Sequence, residues 1–151
     1  MLRARLSEAL KTAMRERDQP AVSTVRLILA ALKDRDIAAR GRGNGDGISD
    51  LEILQLLQTM VKQRRESIEL YARGGRQDLV DQEAGEIVII ERFLPQQMDE
   101  AQAQAAIGAV VAELGAASIK DMGRVMALLK ERHAGQMDFT RASAQVKQAL
   151  T

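Results

Sequence analysis

Apolar residues recur every three or four positions along most of the chain, and no segment alternates apolar and polar residues as a half-buried strand would. The first run, from residue 2 to about 17, predicts an amphipathic helix. Its large apolar residues are spaced by four: Leu2, Leu6, Leu10 and Met14. Pro20 suits the first turn of a second helix, where its missing N–H is not needed, and the pattern continues to about Arg40.

The segment GRGNGDG, residues 41 to 47, separates the second helix from the third. Its alternating glycines resemble a nucleotide-binding loop, but such a loop follows a strand, whereas a predicted helix precedes this one. The Walker pattern is missing because no Gly-Lys-Ser/Thr follows. An EF-hand would need a ligand where Ile53 stands. We therefore predict a flexible surface loop.

Two further helices complete the N-terminal part. The sequence SDLE at 49–52 is a capping box, which predicts the start of a long third helix that ends near Arg73. The glycine pair at 74–75 favours the left-handed conformation that ends helices. The fourth helix is predicted from residue 77 or 78 to 94, and Pro95 ends it.

Three shorter helices follow a domain boundary that we place at residues 95–98. Their predicted ranges are about 99–114, 119–133 and 139–150. Their predicted starts are Asp99, the box Ser118 to Asp121, and Asp138. Helices of this length form a small bundle around one core. The predicted fold class is therefore all-α, with an N-terminal four-helix domain at 1–95 and a C-terminal three-helix bundle at 96–151.

Composition supports helix packing and removes several kinds of site. Aromatic residues make up 2% of the chain and hydrophobic residues 46%, so Ala, Leu, Ile, Val and seven Met must form the core. Because there is no cysteine, disulfides, thiolate zinc sites and thiol nucleophiles are excluded. The formal net charge of +1 gives no overall attraction to polyanions, so nucleic-acid binding would need a local patch. No apolar run approaches the ~20 residues of a membrane span. We expect a soluble cytoplasmic protein without metal or cofactor.

His133 is the only histidine, which excludes sites built from several histidines. It lies in the last turn of a predicted helix beside Lys130 and Arg132, where cations interact favourably with the helix dipole. We interpret it as part of a C-terminal cap. No serine has a recognisable set of partners for a nucleophilic triad.

Glu83 and Glu86 lie one turn apart on the predicted fourth helix. Paired carboxylates can perform acid/base chemistry when their environments separate their pKa values. They can equally receive an arginine from a neighbouring helix, and the third helix offers Arg64. A structural ion network of Arg64, Glu83 and Glu86 is the interpretation we favour, and acid/base catalysis is the alternative.

Basic residues are frequent on the third helix and the turn after it: Lys62, Arg65, Arg73 and Arg76. They could track a phosphate backbone. Glutamates are interleaved among them, and the spacing suits the i,i+4 pairs Lys62–Glu66, Arg65–Glu69 and Glu69–Arg73. The alternative is therefore a solvated face whose charges pair with one another.

Lys120 and Arg124 lie one turn apart at a predicted helix start, where basic residues oppose the helix dipole. Free N–H groups together with two cations can bind an anion. Gly123 lowers the stability of the helix by roughly 1 kcal/mol relative to alanine. With Ala127 one turn later, it could allow close approach of a second helix or of a ligand. Packing and anion binding both remain open.

Several segments form a recognisable set: LKTAMRERD, KQRRESIELYARGGRQDL, EAGEIVIIERFLPQQM, and KDMGRVMALL followed by AGQMD and VKQAL. Together they resemble the stand-alone YqeY proteins of the GatB/YqeY family. The resemblance runs from about Leu6 to Leu150 with the motifs in order, and the combination is far more specific than any one segment. Arg124 and Ala127 depart from the pattern, which typically has Lys and Gly there.

The resemblance implies a relation between the C-terminal part and the tail domain of the B subunit of glutamine-dependent tRNA amidotransferase, which helps to hold the tRNA. The family is often given a carbon–nitrogen ligase activity with glutamine as amide donor. The residues show no ATP loop, metal cluster or amidase nucleophile set in support of it. We therefore expect a non-catalytic module that binds tRNA or another structured RNA.

The expected RNA contacts are Lys120, Arg124 and the N–H groups of the turn at 118–124. Secondary contacts would come from the last helix and the third helix: Arg141, Lys147, Lys62, Arg65, Arg73 and Arg76. Two alternatives remain open, a protein-interaction adaptor and an amidotransferase accessory.

Overall fold

The computed structural model describes all 151 residues and contains seven α-helices and no strand. The helices are α1 Leu2–Arg15, α2 Gln19–Gly41, α3 Asp50–Arg73, α4 Gln77–Glu91, α5 Glu100–Leu114, α6 Met122–Arg132 and α7 Phe139–Ala149. A short 3₁₀ helix, Ile119–Asp121, precedes α6. The all-α fold class is confirmed.

The helices group into two compact units. The N-terminal unit is Met1–Leu94 and holds α1 to α4, and the C-terminal unit is Pro95–Thr151 and holds α5 to α7. None of the seven helices combines the length and the apolar composition of a membrane-spanning helix. Only α5 and the segment Ile119–Arg132 taken together, as a pair bent by 100°, have that length and composition.

The core of the N-terminal unit forms where α3 packs along α4, α1 along α2, and α2 along α4. Each helix contributes large side chains that are almost fully buried: Leu6, Val25, Ile28, Ile53, Leu57 and Ile90. Ser49 caps α3 through the predicted box, in which its hydroxyl accepts the Glu52 N–H while Glu52 accepts the Ser49 N–H. Burial of these aliphatic side chains is the main source of stability in a unit of this kind.

Met14, the last residue in the spacing of four on α1, does not lie on the buried face of the helix. Met14 is 52% exposed, and Ala13 is buried in its place. A helix turns by 100° per residue, so each step of four residues overshoots one full turn by about 40°. After three such steps from Leu2, Met14 has rotated away from the core, whereas Ala13 lies seven residues after Leu6 and is back on the buried face.

The glycine-rich loop is exposed from residue 41 to 46, as a surface loop should be, but its last residue is buried. Gly47 has φ +80°, and a Cβ at this position would lie 2.7 Å from Asp36 Cγ. The Asp36 carboxylate accepts hydrogen bonds from Arg3 at 2.5 and 3.2 Å and from the Ile48 N–H at 2.9 Å. Arg3 also donates to the Ile48 carbonyl at 2.6 Å. This group, which we call the Asp36 clamp, fixes the end of the loop to α1 and α2.

The C-terminal unit surrounds a second core, to which α5, α6 and α7 all contribute. Its most buried side chains are Val110, Val125, Leu129 and Val146. Asp99 begins α5 with a capping box completed by Gln102, and Asp138 begins α7 by accepting the N–H groups of Thr140 and Arg141. The predicted helix at 119–133 is divided into the 3₁₀ helix and α6.

Candidate nucleic-acid interface

The start of α6 presents the two cations that the sequence singled out. Lys120 and Arg124 are both exposed. Asp121, which lies between them, directs its carboxylate back over the turn, where it accepts the Ala117 N–H at 3.0 Å and the Ser118 N–H at 3.3 Å. The same carboxylate accepts a hydrogen bond from Arg124 Nη2 at 2.8 Å. The Ala117 N–H, together with Arg124 and Ser118, lowers the pKa of Asp121, so it remains an anion.

The Asp121 carboxylate therefore occupies part of the site that was expected to be open. The Ser118 N–H is not free, because the third residue of the capping box has bound it, and Arg124 has an anionic partner within the chain. Lys120 forms no ion pair and stays available. A phosphate at this turn would contact Lys120 directly and would compete with Asp121 for Arg124.

Gly123 and Ala127 form an open strip beside these cations. Both are exposed, and a Cβ added to Gly123 would have no atom within 4 Å. No second helix of this fold uses the space beside Gly123, because α5 and α7 pack on the opposite face, around Val125 and Leu129. Close approach by an external ligand remains a prediction.

Replacing Gly123 with alanine should stabilise α6, since the fold makes no use of the missing side chain. We expect a gain of about 0.5–1 kcal/mol, which should slow amide hydrogen exchange in Met122–Arg132 roughly two- to five-fold. Gly108 in α5 is the matched control, because it is also an exposed helical glycine with nothing within 4 Å. If Gly123 also admits a ligand, Gly123→Ala should weaken RNA binding and Gly108→Ala should not. Faster exchange in the Gly123→Ala chain would contradict the open strip.

On α7, Arg141 and Lys147 are exposed and neither forms an ion pair. They are six residues apart, which places them about 120° apart around the helix. The structure therefore does not bring these two predicted contacts onto one face. Only one of them at a time can belong to a flat contact surface on α7.

The basic residues of α3 are partly neutralised. Arg65 lies 3.9 Å from Glu91 on α4, and Arg76 forms two hydrogen bonds with Asp78 at 3.0 and 3.1 Å. Lys62 and Arg73 are exposed and form no ion pair. The three i,i+4 pairs suggested by the sequence are not formed. Glu66 and Glu69 nevertheless remain exposed on the same helix, so this surface carries both signs of charge.

Arg64 and Glu86, two members of the predicted ion network, form an ion pair. Arg64 Nε lies 2.8 Å from Glu86 Oε2, and the two side chains are only 14% and 16% exposed. Arg64 also donates to the Met60 carbonyl at 3.1 Å. Glu83, one turn earlier, forms no ion pair, and its pKa is raised by burial and by the negative charge of Glu86.

A groove of about 340 Å³ lies between α2 and α3 and is lined in part by Arg64. Neither Glu83 nor Glu86 lines it, so this groove does not offer a substrate to the carboxylate pair. No three Asp, Glu or His side chains are grouped to hold a metal ion. His133 immediately follows α6, and its Nδ1 lies 3.3 Å from Gln136 Oε1, at the C-terminal cap position.

The Asp36 clamp could not be predicted from the sequence because its partners are far apart in the chain. Arg3 and Asp36 are separated by 33 residues, and neither belongs to a local motif. The only local signal was Asp36 itself, a carboxylate on the side of α2 that carries Leu32 and Leu29. Such a residue requires a partner, but the sequence does not say which.

Comparison with known proteins places the chain in a family. A family model described as Yqey-like protein matches residues 3–150. Among curated proteins, the chain is similar to altered inheritance of mitochondria protein 41, mitochondrial, from Lachancea thermotolerans, with 32% identity over 74% of this chain and 58% of that protein. The Eremothecium gossypii protein of the same name is 32% identical over 60% of this chain and 48% of its own length.

The chain thus spans about half the length of the curated relatives that it matches. The family model, in contrast, covers nearly every residue, including both helical units and the cations at the start of α6. On that match, the chain belongs to the YqeY-like family.

Proposed function

We propose that this protein is a non-catalytic RNA-binding module and that its ligand is tRNA or a similarly structured RNA. The observation that supports it best is the uncovered start of α6, where exposed Lys120 has no carboxylate partner and Gly123 leaves open space beside it. Helix stability does not explain a lysine at this position, because a cation there opposes the dipole. A phosphate group would be stabilised there by both the lysine and the dipole.

The choice of tRNA rests on the resemblance of the C-terminal unit to the tRNA-holding tail of the amidotransferase B subunit. The relatives' name speaks only of mitochondrial inheritance in those proteins. Catalysis is left out of the proposal because the sequence offers neither an ATP loop nor an amidase nucleophile set. A cytoplasmic location stays a prediction, which fractionation of the source cells would test.

Reversing the charge of both cations should weaken RNA binding. We expect Lys120→Glu/Arg124→Glu to bind total tRNA at least about ten-fold more weakly at 100 mM salt, with a shallower dependence of affinity on salt. The measurement is filter binding at several salt concentrations. The control is Lys11→Glu/Lys130→Glu, which changes the net charge equally at two exposed lysines that form no ion pair.

The control should bind tRNA more tightly than the Lys120/Arg124 variant at every salt concentration. Equal affinities for the two variants would mean that only net charge matters and would remove this turn as the binding site. Far-ultraviolet circular dichroism of both variants verifies that the helices are intact.

A protein-interaction adaptor is the second candidate, and the groove between α2 and α3 favours it. Leu27 on its rim is 45% exposed, and Ala31, Leu56 and Met60 extend the apolar lining. If the intact chain co-purifies with a stoichiometric protein and no RNA, the adaptor is the better account. Release of ammonia from glutamine by the purified chain would instead favour an amidotransferase accessory.

A further inference from the structure

A second basic surface runs along the outside of α2. Arg26, Lys33 and Arg40 are spaced by seven residues, and all three are exposed. Seven residues rotate a helix by about 700°, which is only 20° short of two full turns. The three side chains therefore lie on one line, about 21 Å long. We call this line the α2 stripe. The spacing is visible in the sequence, but only the structure shows that this face of α2 is uncovered.

None of the three cations of the α2 stripe forms an ion pair, although Arg40 is near enough to the Asp36 carboxylate for the two charges to attract each other. Arg40 donates one hydrogen bond, to the Gly45 carbonyl at 3.3 Å, and the nearby Asp36 carboxylate is already bound by Arg3 and the Ile48 N–H. Four arginines elsewhere in the chain each have a carboxylate partner: Arg124, Arg132, Arg65 and Arg76.

The two residues that lie between the cations on this line are uncharged, although Asp34 and Asp36 are close by on α2. Ala30 and Ile37 lie on the same line and are exposed, so they separate the three charges without adding an acid. Asp34 is displaced from Lys33 by about 100° around the helix. Three like charges in a row repel one another, and only Arg40 donates a hydrogen bond within the fold, so an external anion explains the row of charges better than the fold does.

We infer that the α2 stripe is a second contact surface for the phosphate backbone of the bound RNA, and this inference rests on the proposed function. Its cations lie about 10 Å apart on a rigid helix, and a regular polyanion can meet all three at once. Contacts of this kind fix the position of the protein on the nucleic acid without reading its sequence. An anionic membrane is a poorer fit, since Ile37 is the only large apolar side chain on the line.

The test compares Arg26→Gln/Lys33→Gln/Arg40→Gln with Lys11→Gln/Arg35→Gln/Arg92→Gln, in full-length protein. The control residues are also exposed, carry no ion pair and lie in the same unit. For total tRNA, loss of three phosphate contacts should reduce the slope of log K against log salt by about 2, while the control should reduce it little. Arg26→Gln/Lys33→Gln, which keeps the Arg40 hydrogen bond to the loop, should show about two-thirds of the effect.

The possible outcomes separate this inference from the proposed function. If the unchanged chain does not bind tRNA at 50 mM salt, both are overturned. If it binds and the two triple variants have the same slope, the inference fails and the proposed function stands. If the stripe variant keeps its tRNA slope but loses binding to phosphatidylserine-containing vesicles that the unchanged chain retains, the surface contacts membranes, and the inference is likewise overturned.

Discussion

Replacing Asp36 with alanine should lower the free energy of unfolding of the N-terminal unit by about 2–4 kcal/mol. The side chain is only 11% exposed, and it accepts bonds from both Arg3 and the Ile48 N–H. Its removal leaves a buried N–H without an acceptor and a guanidinium without its anion. Arg3 is itself 38% exposed, so water can solvate it in part, which keeps the expected loss below that of a fully buried pair.

Tyr71 allows unfolding of the N-terminal unit to be followed on its own. It is the only tyrosine, there is no tryptophan, and it lies on α3 within the N-terminal unit. Tyrosine fluorescence during urea unfolding therefore reports this unit even if the two units unfold separately. Asp34→Ala is the control, because Asp34 is exposed and forms no ion pair. We expect it to change stability by less than about 0.5 kcal/mol. If Asp36→Ala and Asp34→Ala lowered the free energy of unfolding equally, the stabilising role of the Asp36 clamp would be contradicted.

The pH dependence follows from the direction of the Asp36 pKa. The hydrogen bonds from Arg3, aided by the Ile48 N–H, lower this pKa in the folded protein despite burial. A carboxyl with a lowered folded pKa stabilises the fold above its unfolded pKa, and the contribution is lost as pH falls through the folded pKa. The difference between the original chain and Asp36→Ala should hold from pH 7 to about pH 5 and shrink below about pH 4.

Replacing Gly47, which packs against the Asp36 clamp, with alanine should lower the free energy of unfolding of the N-terminal unit by about 2–4 kcal/mol. Part of the loss is the left-handed backbone at φ +80°, which costs roughly 1 kcal/mol for a residue with a side chain. The rest is steric, since the new Cβ would lie 2.7 Å from Asp36 Cγ and 3.0 Å from Arg3 Nη2. The carboxylate cannot move aside without losing its hydrogen bonds.

A substitution at Gly43 distinguishes the backbone cost from the steric cost. Gly43 also has a positive φ, +94°, but a Cβ there would have no atom within 4 Å. Gly43→Ala should therefore show only the backbone cost, about 1 kcal/mol or less. In a chain that already carries Asp36→Ala, Gly47→Ala should fall to a similar cost, and a double-mutant cycle measures this coupling. No coupling between positions 36 and 47 would contradict the steric explanation.

The helices could be predicted from the sequence because their signals are local. The capping box at Ser49, the glycines at 74–75 and Pro95 lie next to the boundaries that they determine. Burial of Met14 does not follow from a spacing of four, because each step of four residues rotates about 40° further around the helix. The Asp36 clamp could not be predicted, since choosing Arg3 as its partner requires knowing how α1 and α2 pack.

At the candidate site, too, the local features could be predicted from the sequence and the contacts that depend on the fold could not. Exposure of Lys120 and Arg124 agrees with their polarity, but the position of the Asp121 carboxylate depends on the 3₁₀ turn that the sequence pattern merged into α6. Arg141 and Lys147 are both predicted contacts on the last helix, but a spacing of six residues places them about 120° apart around it. The α2 stripe could not be distinguished from the charged α3 surface in the sequence, because the sequence does not show which charges are paired or which helix faces are uncovered. Uncompensated charge on an uncovered face is the more informative quantity, and it requires the structure.

RNA binding by the intact chain is the central claim, and its salt dependence is the most direct measurement. Lys120, Arg124 and the three cations of the α2 stripe give five phosphate contacts in this account. Filter binding of total tRNA between 50 and 200 mM salt should then give a slope of log K against log salt of about −3 or steeper. A slope near zero, or no complex at 50 mM salt, would contradict the account.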